Sequence, residues 1–454
     1  MANYIVKEHN GSDSTDGRAK STIAVWVKRS RTGIEEHIWS WGENNSSDSR
    51  LKFQADDTLR FHSDGTGGGA TTHITTTQLF RDLNGWYHFV LALDGSNGTE
   101  AYRRRLWING VEFVHGVGSN TFSAAVMGHN STQDLFIGDN ARLQQNGSNA
   151  KPFIGYMSHF HYCDGYAYTA SDFGEFDATT GEWKAKTSPS VTYGTHGIFL
   201  KMEDSSNMDL DSSPNASSQL STTGTILPSE DCPSHVYATF NPLSNNDANG
   251  NFTHGNTSNN TGASAWRTMF STLGASKGKF YCEMKYESGS NQMFGIISLD
   301  KKSATENIGY VGDSNCGTQA VGLAKPGDYY INGSSSTYTG GSNTSWTTGD
   351  IIQIALDRDN SKVYFGKNGT WMGSGDPTSG STGTGAISFS PDAGSSWGFS
   401  TSVYASTSST NFGNGYFQTT AVSSAGTNAS GNGIFEYDVP AGFTALSTKG
   451  INSF

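Results

Sequence analysis

Three carboxylates near the middle of the chain are of the residue type that can hydrolyse a glycosidic bond. A retaining glycosidase holds its two carboxyl groups about 5–5.5 Å apart, and two carboxylates of one strand can meet that distance only if they project from the same face. Glu182 follows Glu175 by seven positions, with Asp177 between them. Residues 179–181, Thr-Thr-Gly, predict a turn that would break such a strand. We therefore expect no catalysis at these carboxylates, and the sequence offers no other catalytic residues.

A second group of side chains could bind a metal ion. His159, His161 and Cys163 alternate along a strand-like segment, so all three are expected on one face. Imidazole and thiolate suit zinc. A straight strand rises about 3.3 Å per residue, however, and would hold the three groups too far apart for one ion. Phe160 and Tyr162 would point to the other face as core residues, so the pattern favours a packed strand.

Aspartates are frequent further along the chain, and carboxylate oxygens are typical ligands of calcium. Asp204, Asp209 and Asp211 are the candidates. Their spacing matches no calcium-binding loop, and polar linkers carry the same residue types. Calcium therefore stays a candidate cofactor of the first half of the chain, but its ligands are not predicted.

A tyrosine-containing stretch in the second half is the candidate binding surface. Tyr329, Tyr330 and Tyr338 lie within residues 327–342, which are otherwise rich in glycine, serine and asparagine. This composition is typical of adaptable recognition surfaces. Most tryptophans, by contrast, are expected in the core, because aromatic side chains supply much of its buried area. No nucleophile elbow, phosphate-binding loop or HExxH motif is present, which favours binding over catalysis.

The charge balance limits which classes of molecule the chain is expected to bind. Charged residues make up 15% of the chain, and its formal net charge is −12. An acidic surface does not attract phosphate backbones or anionic lipid, so we expect no nucleic-acid partner. The basic run Arg103–Arg105 lies in a strand-like segment, where it is expected to protect a sheet edge from aggregation.

No targeting or membrane segment is evident. The first residues contain no apolar stretch typical of a secretion signal, and no window approaches the roughly 18 apolar residues of a membrane span. We therefore expect no membrane insertion. The cysteines are scattered without a CxxC pair, which favours reduced thiols in a protein folded in cytosol: Cys163, Cys232, Cys282 and Cys316.

Period-two hydrophobic patterns recur along the whole chain, whereas helical periodicity is almost absent. Aromatic residues make up 12% of the chain, which argues against disorder. A helical turn is expected only after Thr169, with Asp172 as its capping partner. The predicted strands are 21–29, 36–42, 50–54, 58–63, 86–94, 104–110, 134–139, 153–162, 197–203, 279–287, 293–298, 350–359, 362–369, 397–404 and 433–440.

The length of 454 residues suits two sandwiches better than one. Between 204 and 230 the apolar period disappears, and Ser, Asn, Asp, Thr and Pro dominate. We therefore predict a first domain at 1–203, a linker at 204–234 and a second domain at 235–454. The expected fold is all-β, with two tandem jelly-roll antiparallel β-sandwiches.

Sequence segments in the first block resemble the concanavalin A-like, laminin G-type sandwich. They occur in the order AVWVKRS, DLNGWYHFVLALDGS, RRRLWINGVEF, LFIGD and KPFIGYMSHFHYCDGYAYT. The second block resembles a SPRY-type sandwich in its segments KGKFYCEMKYE, IGYVGD and TTGDIIQIALDRDNSKVYFGKNGTW. The SPRY resemblance implies a partner-binding surface formed by loops at one end, and the three tyrosines fall in such a region.

The junction between the blocks is similar to segments of structural proteins of tailed bacterial viruses, notably marine ones. It comprises 173–204 and 230–243, and the C-terminal segment NGYFQTT…GNGIFEYDVPAGFTALST is also similar. The resemblance implies a virion protein, assembled in the host cytoplasm and displayed on tail or capsid as a fibre, knob or decoration. Its expected partners are other virion proteins, host-surface polysaccharide and further copies of itself.

Two alternatives stay open at this point. The chain could be a stand-alone carbohydrate-binding lectin, and a glycan hydrolase is a more distant third. The viral proteins that it resembles often carry an N-terminal attachment region, whereas here the predicted sandwich starts almost at once. How the chain is anchored is therefore not predicted.

Overall fold

The computed structural model describes most of the chain, which divides into two compact units, Met1–Pro228 and Ser229–Phe454. The described residues are 3–8, 20–44, 47–65, 69–115, 133–140, 150–216, 219–244, 251–262, 264–301, 308–325, 327–338 and 345–454.

The first unit consists of strands and two short helical turns. The helical turns are a 3-10 turn at Glu100–Tyr102 and α1 (Ala170–Phe173). The strands are β1 (Tyr4–Lys7), β2 (Lys20–Arg29), β3 (Glu36–Asn44), β4 (Ser47–Phe53), β5 (Thr58–Gly65), β6 (Gly69–Leu79), β7 (Tyr87–Asp94), β8 (Arg104–Ile108), β9 (Val111–Phe113), β10 (Leu135–Ile137), β11 (Gly155–Asp164), β12 (Gly174–Phe176), β13 (Trp183–Ala185), β14 (Ile198–Leu200) and β15 (Leu220–Thr223).

Two antiparallel sheets of the first unit enclose its core. Within the described residues their strand orders are β15-β1-β10-β3-β4-β5-β6 and β14-β11-β2-β7-β8-β9. Residues that alternate along strands of both sheets meet in one apolar cluster, as expected of a sandwich. The first sheet contributes Trp39, Trp41, Leu51, Phe53 and Phe61, and the second contributes Val25, Phe89, Leu91, Phe160 and Tyr162.

The outer face of the second sheet carries a cover that the sequence only partly predicted. α1 has the predicted capping box between Thr169 and Asp172. Strands β12 and β13 pair as a separate hairpin. Phe173 and Tyr193, from this covering segment, pack on Trp107 and Phe199 of the sheet. Residues 166–196, which we call the cover, therefore exclude water from this outer face.

The predicted linker differs from the structure. β15 lies at the edge of the first sheet, where it pairs with β1. Asp211 is buried and its side chain accepts a 2.9 Å hydrogen bond from the backbone of Phe199. The first unit thus continues to Pro228. The stretch was difficult to recognise because its backbone and side-chain polar groups, and not an apolar period, connect it to the sandwich.

The second unit has the same all-β character. Its only helices in the described chain are short: α2 (Thr448–Ile451) and 3-10 turns at Pro242–Ser244, Ser314–Cys316, Met372–Ser374 and Pro377–Thr382. Its strands are β16 (Asn251–Thr253), β17 (Ser258–Asn260), β18 (Arg267–Phe270), β19 (Lys279–Ser298), β20 (Ala320–Ala324), β21 (Asp328–Ile331), β22 (Ser334–Thr337), β23 (Ile351–Asp357), β24 (Lys362–Lys367), β25 (Thr370–Trp371), β26 (Ile387–Ser388), β27 (Trp397–Asn411), β28 (Tyr416–Phe417), β29 (Thr420–Ala421) and β30 (Thr444–Ala445).

Two long strands connect the layers of the second unit. β19 pairs with β23 in its first half and with β20 in its second half, and β27 runs antiparallel to it. The register of this pair shifts between Tyr286 and Ser288, next to Gly289 with a φ of 113°. A bend of this kind lets a strand pass from one sheet to the other. The two predicted strands 279–287 and 293–298 are therefore one continuous strand.

The core of the second unit lies between two layers, each of which contains one half of β19 and one half of β27. It contains residues from both layers, among them Phe280, Met284, Phe294, Ile296, Leu323, Ile354, Phe365, Trp397 and Phe399. The all-β prediction of antiparallel sandwiches is confirmed. The predicted strands 350–359 and 362–369 are also present, and they pair with each other as β23 and β24.

The predicted strand at 433–440 is wrong. Apart from a single bridge at Ile434, this segment is irregular. The backbone N–H groups of Glu436 and Tyr437 donate to the buried Glu283 carboxylate at 2.9 and 2.8 Å. A side chain thus takes the place of a neighbouring strand. Alternation of apolar residues was present, but the hydrogen-bond partner could not be inferred from it.

No helix in the described part of the chain is long and apolar enough to cross a membrane. The four cysteines do not pair with one another: Cys163, Cys282 and Cys316 are buried, and Cys232 is half-buried.

Candidate functional site

The three predicted binding tyrosines do not share one surface. Tyr329 and Tyr330 are neighbours on β21, so their side chains point to opposite faces. Tyr329 packs against the core, and its ring lies 6.3 Å from that of Tyr338. Tyr338 is only 4% exposed, and its hydroxyl donates to the Gly385 carbonyl at 2.6 Å.

The assignment of Tyr338 to a binding surface therefore needs correction. Its Gly- and Ser-rich neighbours suggested a loop, but the tyrosine completes the core beneath them. Residues 339–344 of the same stretch lie outside the described residues. Tyr329 and Tyr338 are core residues by position, and Tyr330 alone of the three faces outward.

Tyr330 belongs to a pocket of about 310 Å³ on the outer face of the β27–β19–β20–β21 sheet. Three half-exposed aromatic rings line it. The Tyr310 ring centroid lies 5.6 Å from that of Tyr330 and 5.7 Å from that of Trp266. We call this site the aromatic pocket, with lining residues Trp266, Asn291, Gln292, Met293, Tyr310, Ala324, Lys325 and Tyr330.

A tight turn positions Tyr310 beside Tyr330. The Asp313 carboxylate accepts hydrogen bonds from the backbone of Gly309 at 2.6 Å and of Cys316 at 3.0 Å. Gly312 has a φ of 90°, and a Cβ there would lie 2.3 Å from the carbonyl oxygen of Tyr330. Only glycine allows this close approach. The segment IGYVGD, residues 308–313, thus fixes the geometry of one wall.

The floor of the pocket is polar and already hydrogen-bonded. Gln292 is 1% exposed; its amide donates to Thr401 Oγ1 at 2.6 Å and its carbonyl accepts from Ser406 at 2.9 Å. Such partners fix its rotamer before any ligand arrives. Burial raises the pKa of Tyr310, so its hydroxyl stays neutral near neutral pH.

Lys325 provides the charge of the pocket. Its ammonium lies 3.0 Å from the Tyr286 hydroxyl, 3.5 Å from the Ser290 carbonyl and 4.4 Å from the centre of the Tyr286 ring. Aromatic faces attract cations, so the Tyr286 ring helps to hold the chain. The site combines aromatic walls, an amide floor and one ammonium group, which is the composition of a pocket for a polar organic ligand.

Sequence reasoning missed Trp266 and Tyr310. Each is a single aromatic residue in a polar segment, and neither segment shows where its side chain points. A half-exposed aromatic in a Gly- or Ser-rich connection is a weak signal that could have selected both. Their convergence from distant parts of the chain was not predictable.

A second pocket, of about 240 Å³, lies in the first unit. It is polar and has no aromatic wall: its lining residues are Lys7, Thr195, His196, Gly197, Asn215, Ala216 and Gln219. The buried Lys7 ammonium lies 3.5 Å from Gln219 Oε1 and 3.4 Å from the Glu8 carbonyl. Without a surface for stacking, this pocket is the weaker candidate.

The carboxylates that could have been catalytic lie on the exposed β12–β13 hairpin. Lys184 bridges Glu175 and Asp177 at 3.4 and 3.3 Å. Asp177 also accepts from the backbone of Thr179 and Thr180, and these bonds lower its pKa to about 2. Asp177 thus caps a turn, and Glu175 and Asp177 form a surface ion pair with Lys184. Neither described pocket is lined by a carboxylate.

The histidines predicted to pack in a strand do so. His161 is 1% exposed, stacks on Phe199 with 4.0 Å between ring centroids, and hydrogen-bonds the Tyr193 hydroxyl at 2.9 Å. Burial lowers its pKa well below the usual value. β11 has a register shift between Ser158 and His161, so the strand is not straight as the sequence argument assumed. Phe160 and Tyr162 face the core as predicted.

The aspartates proposed for calcium are used in local structure. Asp204 accepts from the backbone of Ser206, Asp209 accepts from Thr222, and Asp211 accepts from Phe199 and Ser213. Across the residues that the structure describes, no group of three or more His, Cys, Asp or Glu side chains could hold a metal ion. The described aspartates therefore do not fit a calcium site.

The basic run is not at the sheet edge. β8, which contains Arg104 and Arg105, lies between β7 and β9. Arg104 is 3% exposed, whereas Arg105 pairs with Glu112 and lies 4.5 Å from the centre of the Trp107 ring. The alternation was predicted correctly, but the edge position belongs to the short strand β9.

Comparisons with known proteins agree with the fold of the first unit. Residues 6–173 match the Laminin_G_3 family model, described as the concanavalin A-like lectin/glucanases superfamily. This part of the chain is a concanavalin A-like, laminin G-like domain, as predicted. No curated protein matches the chain.

Several solved structures show a distant likeness. The SPRY domain of human HERC1 is 16% identical, with a TM-score of 0.29, over 38% of this chain and 96% of that domain. A heptameric SAP-like pentraxin from Limulus polyphemus is 14% identical, with a TM-score of 0.27, over 41% and 84%. The CBM40 module of a Ruminococcus gnavus sialidase, bound to α2,3-sialyllactose, is 16% identical, with a TM-score of 0.27, over 38% and 94%.

Proposed function

We propose that the chain is a non-enzymatic structural and adhesive protein of a virus particle, which binds carbohydrate through the aromatic pocket. It would be displayed on a tail or capsid as a fibre, knob or decoration, in contact with other virion proteins and with further copies of itself. The observation that carries the binding part is the convergence of Trp266, Tyr310 and Tyr330 beside polar side chains. The virion part depends on the sequence resemblance of the junction and C-terminal segments.

The chemistry of the pocket suits a sugar. The apolar C–H face of a pyranose stacks on aromatic rings, and such rings bind a flat ligand with little loss of side-chain entropy. Asn291 and Lys325 offer hydrogen-bond donors for hydroxyl groups at the same opening. An apolar surface with a few converging polar groups gives both affinity and orientation.

The binding proposal is tested with the purified chain on a microarray of bacterial surface polysaccharides. We expect saturable binding, and a loss of at least about tenfold in affinity on Trp266→Ala, equivalent to ~1.4 kcal/mol. The matched control is Trp371→Ala, because Trp371 is also a half-buried tryptophan of the second unit but lies outside the pocket. Equal losses in both variants, or no binding by the unmodified chain, would contradict the proposal.

The virion proposal is tested by mass spectrometry of purified particles. A fixed copy number relative to the major capsid protein is expected, and its size would separate a tail from a capsid location. Absence from particles, combined with glycan binding, would favour the alternative of a stand-alone lectin. Release of shortened products from a bound polysaccharide would instead favour a hydrolase; we expect none.

A further inference from the structure

We infer that the saccharide bound by the aromatic pocket is acidic, and that Lys325 binds its carboxylate. This inference rests on the proposed carbohydrate binding and adds the class of ligand. It follows from how charge is distributed in and around the pocket.

Within the described residues, Lys325 has only neutral partners. Its ammonium contacts a phenol hydroxyl, a backbone carbonyl and an aromatic face. Two other lysines of the second unit lie beside carboxylates: Lys279 is 3.1 Å from Asp357, and Lys285 is 3.6 Å from Glu287. The Lys325 charge is therefore not neutralised by any carboxylate in the described part of the chain.

Among the described residues, the lining of the pocket contains no acidic side chain, although the chain as a whole carries a formal charge of −12. The nearest wall does contain Asp313, but its carboxylate is occupied by the N–H groups of Gly309, Tyr310 and Cys316. A cation with neutral partners only, in a partly desolvated site with aromatic walls, is complementary to an anion.

The arrangement allows a carboxylated sugar to use both features of the pocket. Its ring can stack on Trp266, Tyr310 or Tyr330, while its carboxylate accepts a charge-assisted hydrogen bond from Lys325. Such bonds are about twice as strong as neutral ones. A neutral sugar retains the stacking but lacks this bond, so the lysine discriminates between the two.

The test uses pairs of polysaccharides that differ only in charge. Polygalacturonate, hyaluronate and alginate are each compared with their carboxyl-reduced forms, in which the uronic acid becomes the neutral sugar. We expect at least one acidic form to bind the full chain tenfold or more tightly than its reduced partner, and the preference to weaken as salt is added.

Lys325→Gln should abolish the preference, so that the acidic form binds no more tightly than its carboxyl-reduced partner. Lys362→Gln is the matched control, because it removes one charge from a half-buried lysine that hydrogen-bonds only a neutral partner, Ser388, and lies outside the pocket. It should retain the preference.

The two proposals can fail separately. Equal binding of acidic and reduced forms, or array binding confined to neutral glycans, overturns the inference and leaves the proposed function intact. A preference that survives in Lys325→Gln also overturns it. Failure of the chain to bind any saccharide overturns both.

Discussion

The outer sheet faces of the two units carry similar aromatic residues, but these residues are covered in the first unit and half-exposed in the second. In the first unit the cover of residues 166–196 seals the outer face, with Phe173 and Tyr193 packed on Trp107. In the second unit Trp266, Tyr310 and Tyr330 remain half-exposed on the corresponding kind of surface. The same residue types thus form a closed layer in one place and an open pocket in the other.

The difference shows that aromatic content does not by itself distinguish core from binding surface. Whether an aromatic face becomes core or binding surface depends on a covering segment, because water is excluded only where a second layer supplies apolar contacts. The second unit confirms this on its other outer face. There the C-terminal residues Phe435, Val439 and Phe443 cover Tyr281 and Tyr364. The face that carries the aromatic pocket is covered only in part: Ile308, Val311 and Cys316 pack on Met293 and Ile297, whereas the three rings of the pocket stay half-exposed.

The strongest test of this comparison is to remove a side chain that holds the first unit's cover. Phe173 is 1% exposed, so Phe173→Ala leaves a cavity and should lower the free energy of unfolding of the first unit by about 3–5 kcal/mol. Chemical denaturation monitored by tryptophan fluorescence measures it. Phe176→Ala is the control from the adjacent hairpin, because Phe176 is 53% exposed; its effect should stay within about 0.5 kcal/mol. Equal effects would show that the cover is not a sealing layer.

The C-terminal cover of the second unit should respond to pH. Burial raises the pKa of Glu283 to about 7 from 4.5, although backbone and side-chain donors oppose the shift. The folded state therefore binds the proton more tightly, and stability is lost as pH rises from about 4.5 to 7, by roughly 1–3 kcal/mol.

Denaturation of the unmodified chain and of Glu283→Gln between pH 4.5 and 8 separates this contribution from that of other groups. The difference in unfolding free energy between the unmodified chain and Glu283→Gln should change as the pH rises from 4.5 to about 7 and level off above that. A difference independent of pH would show that Glu283 keeps its charge throughout and holds the cover as a carboxylate.

Most of the scaffold was predictable from sequence, because buried strands appear either as period-two patterns or as compact apolar runs. β2, β7 and β23 are buried at nearly every position and appear as such runs. β6 was missed, since its run of threonines lacks an apolar period. β15 was missed for the same reason, as its residues are mostly exposed and paired only through the backbone. Period-two hydrophobicity therefore finds strands that face a core and overlooks those at the polar margin.

The candidate site was predictable only in part. Tyr330 was found through the composition of its surroundings, and Tyr338 was assigned wrongly for the same reason, since composition does not report which face of a strand a residue occupies. Trp266 and Tyr310 come from segments far apart in sequence. Their contact depends on the register of β18 with β27 and on the turn around Asp313, which are set by tertiary hydrogen bonds.

The smallest expected effect concerns how far the open face extends. The ring of Tyr404 lies 5.6 Å from that of Trp266 and is half-exposed, but Tyr404 does not line the pocket. A chain of several sugars could reach it, whereas a single sugar in the pocket could not. Tyr404→Ala should therefore weaken binding of a long oligosaccharide by about three- to tenfold, up to ~1.4 kcal/mol, and leave a monosaccharide unaffected. Titration calorimetry with the oligosaccharide and with the monosaccharide measures the two affinities. Equal losses for both ligands would show that Tyr404 positions Trp266 and does not contact the glycan.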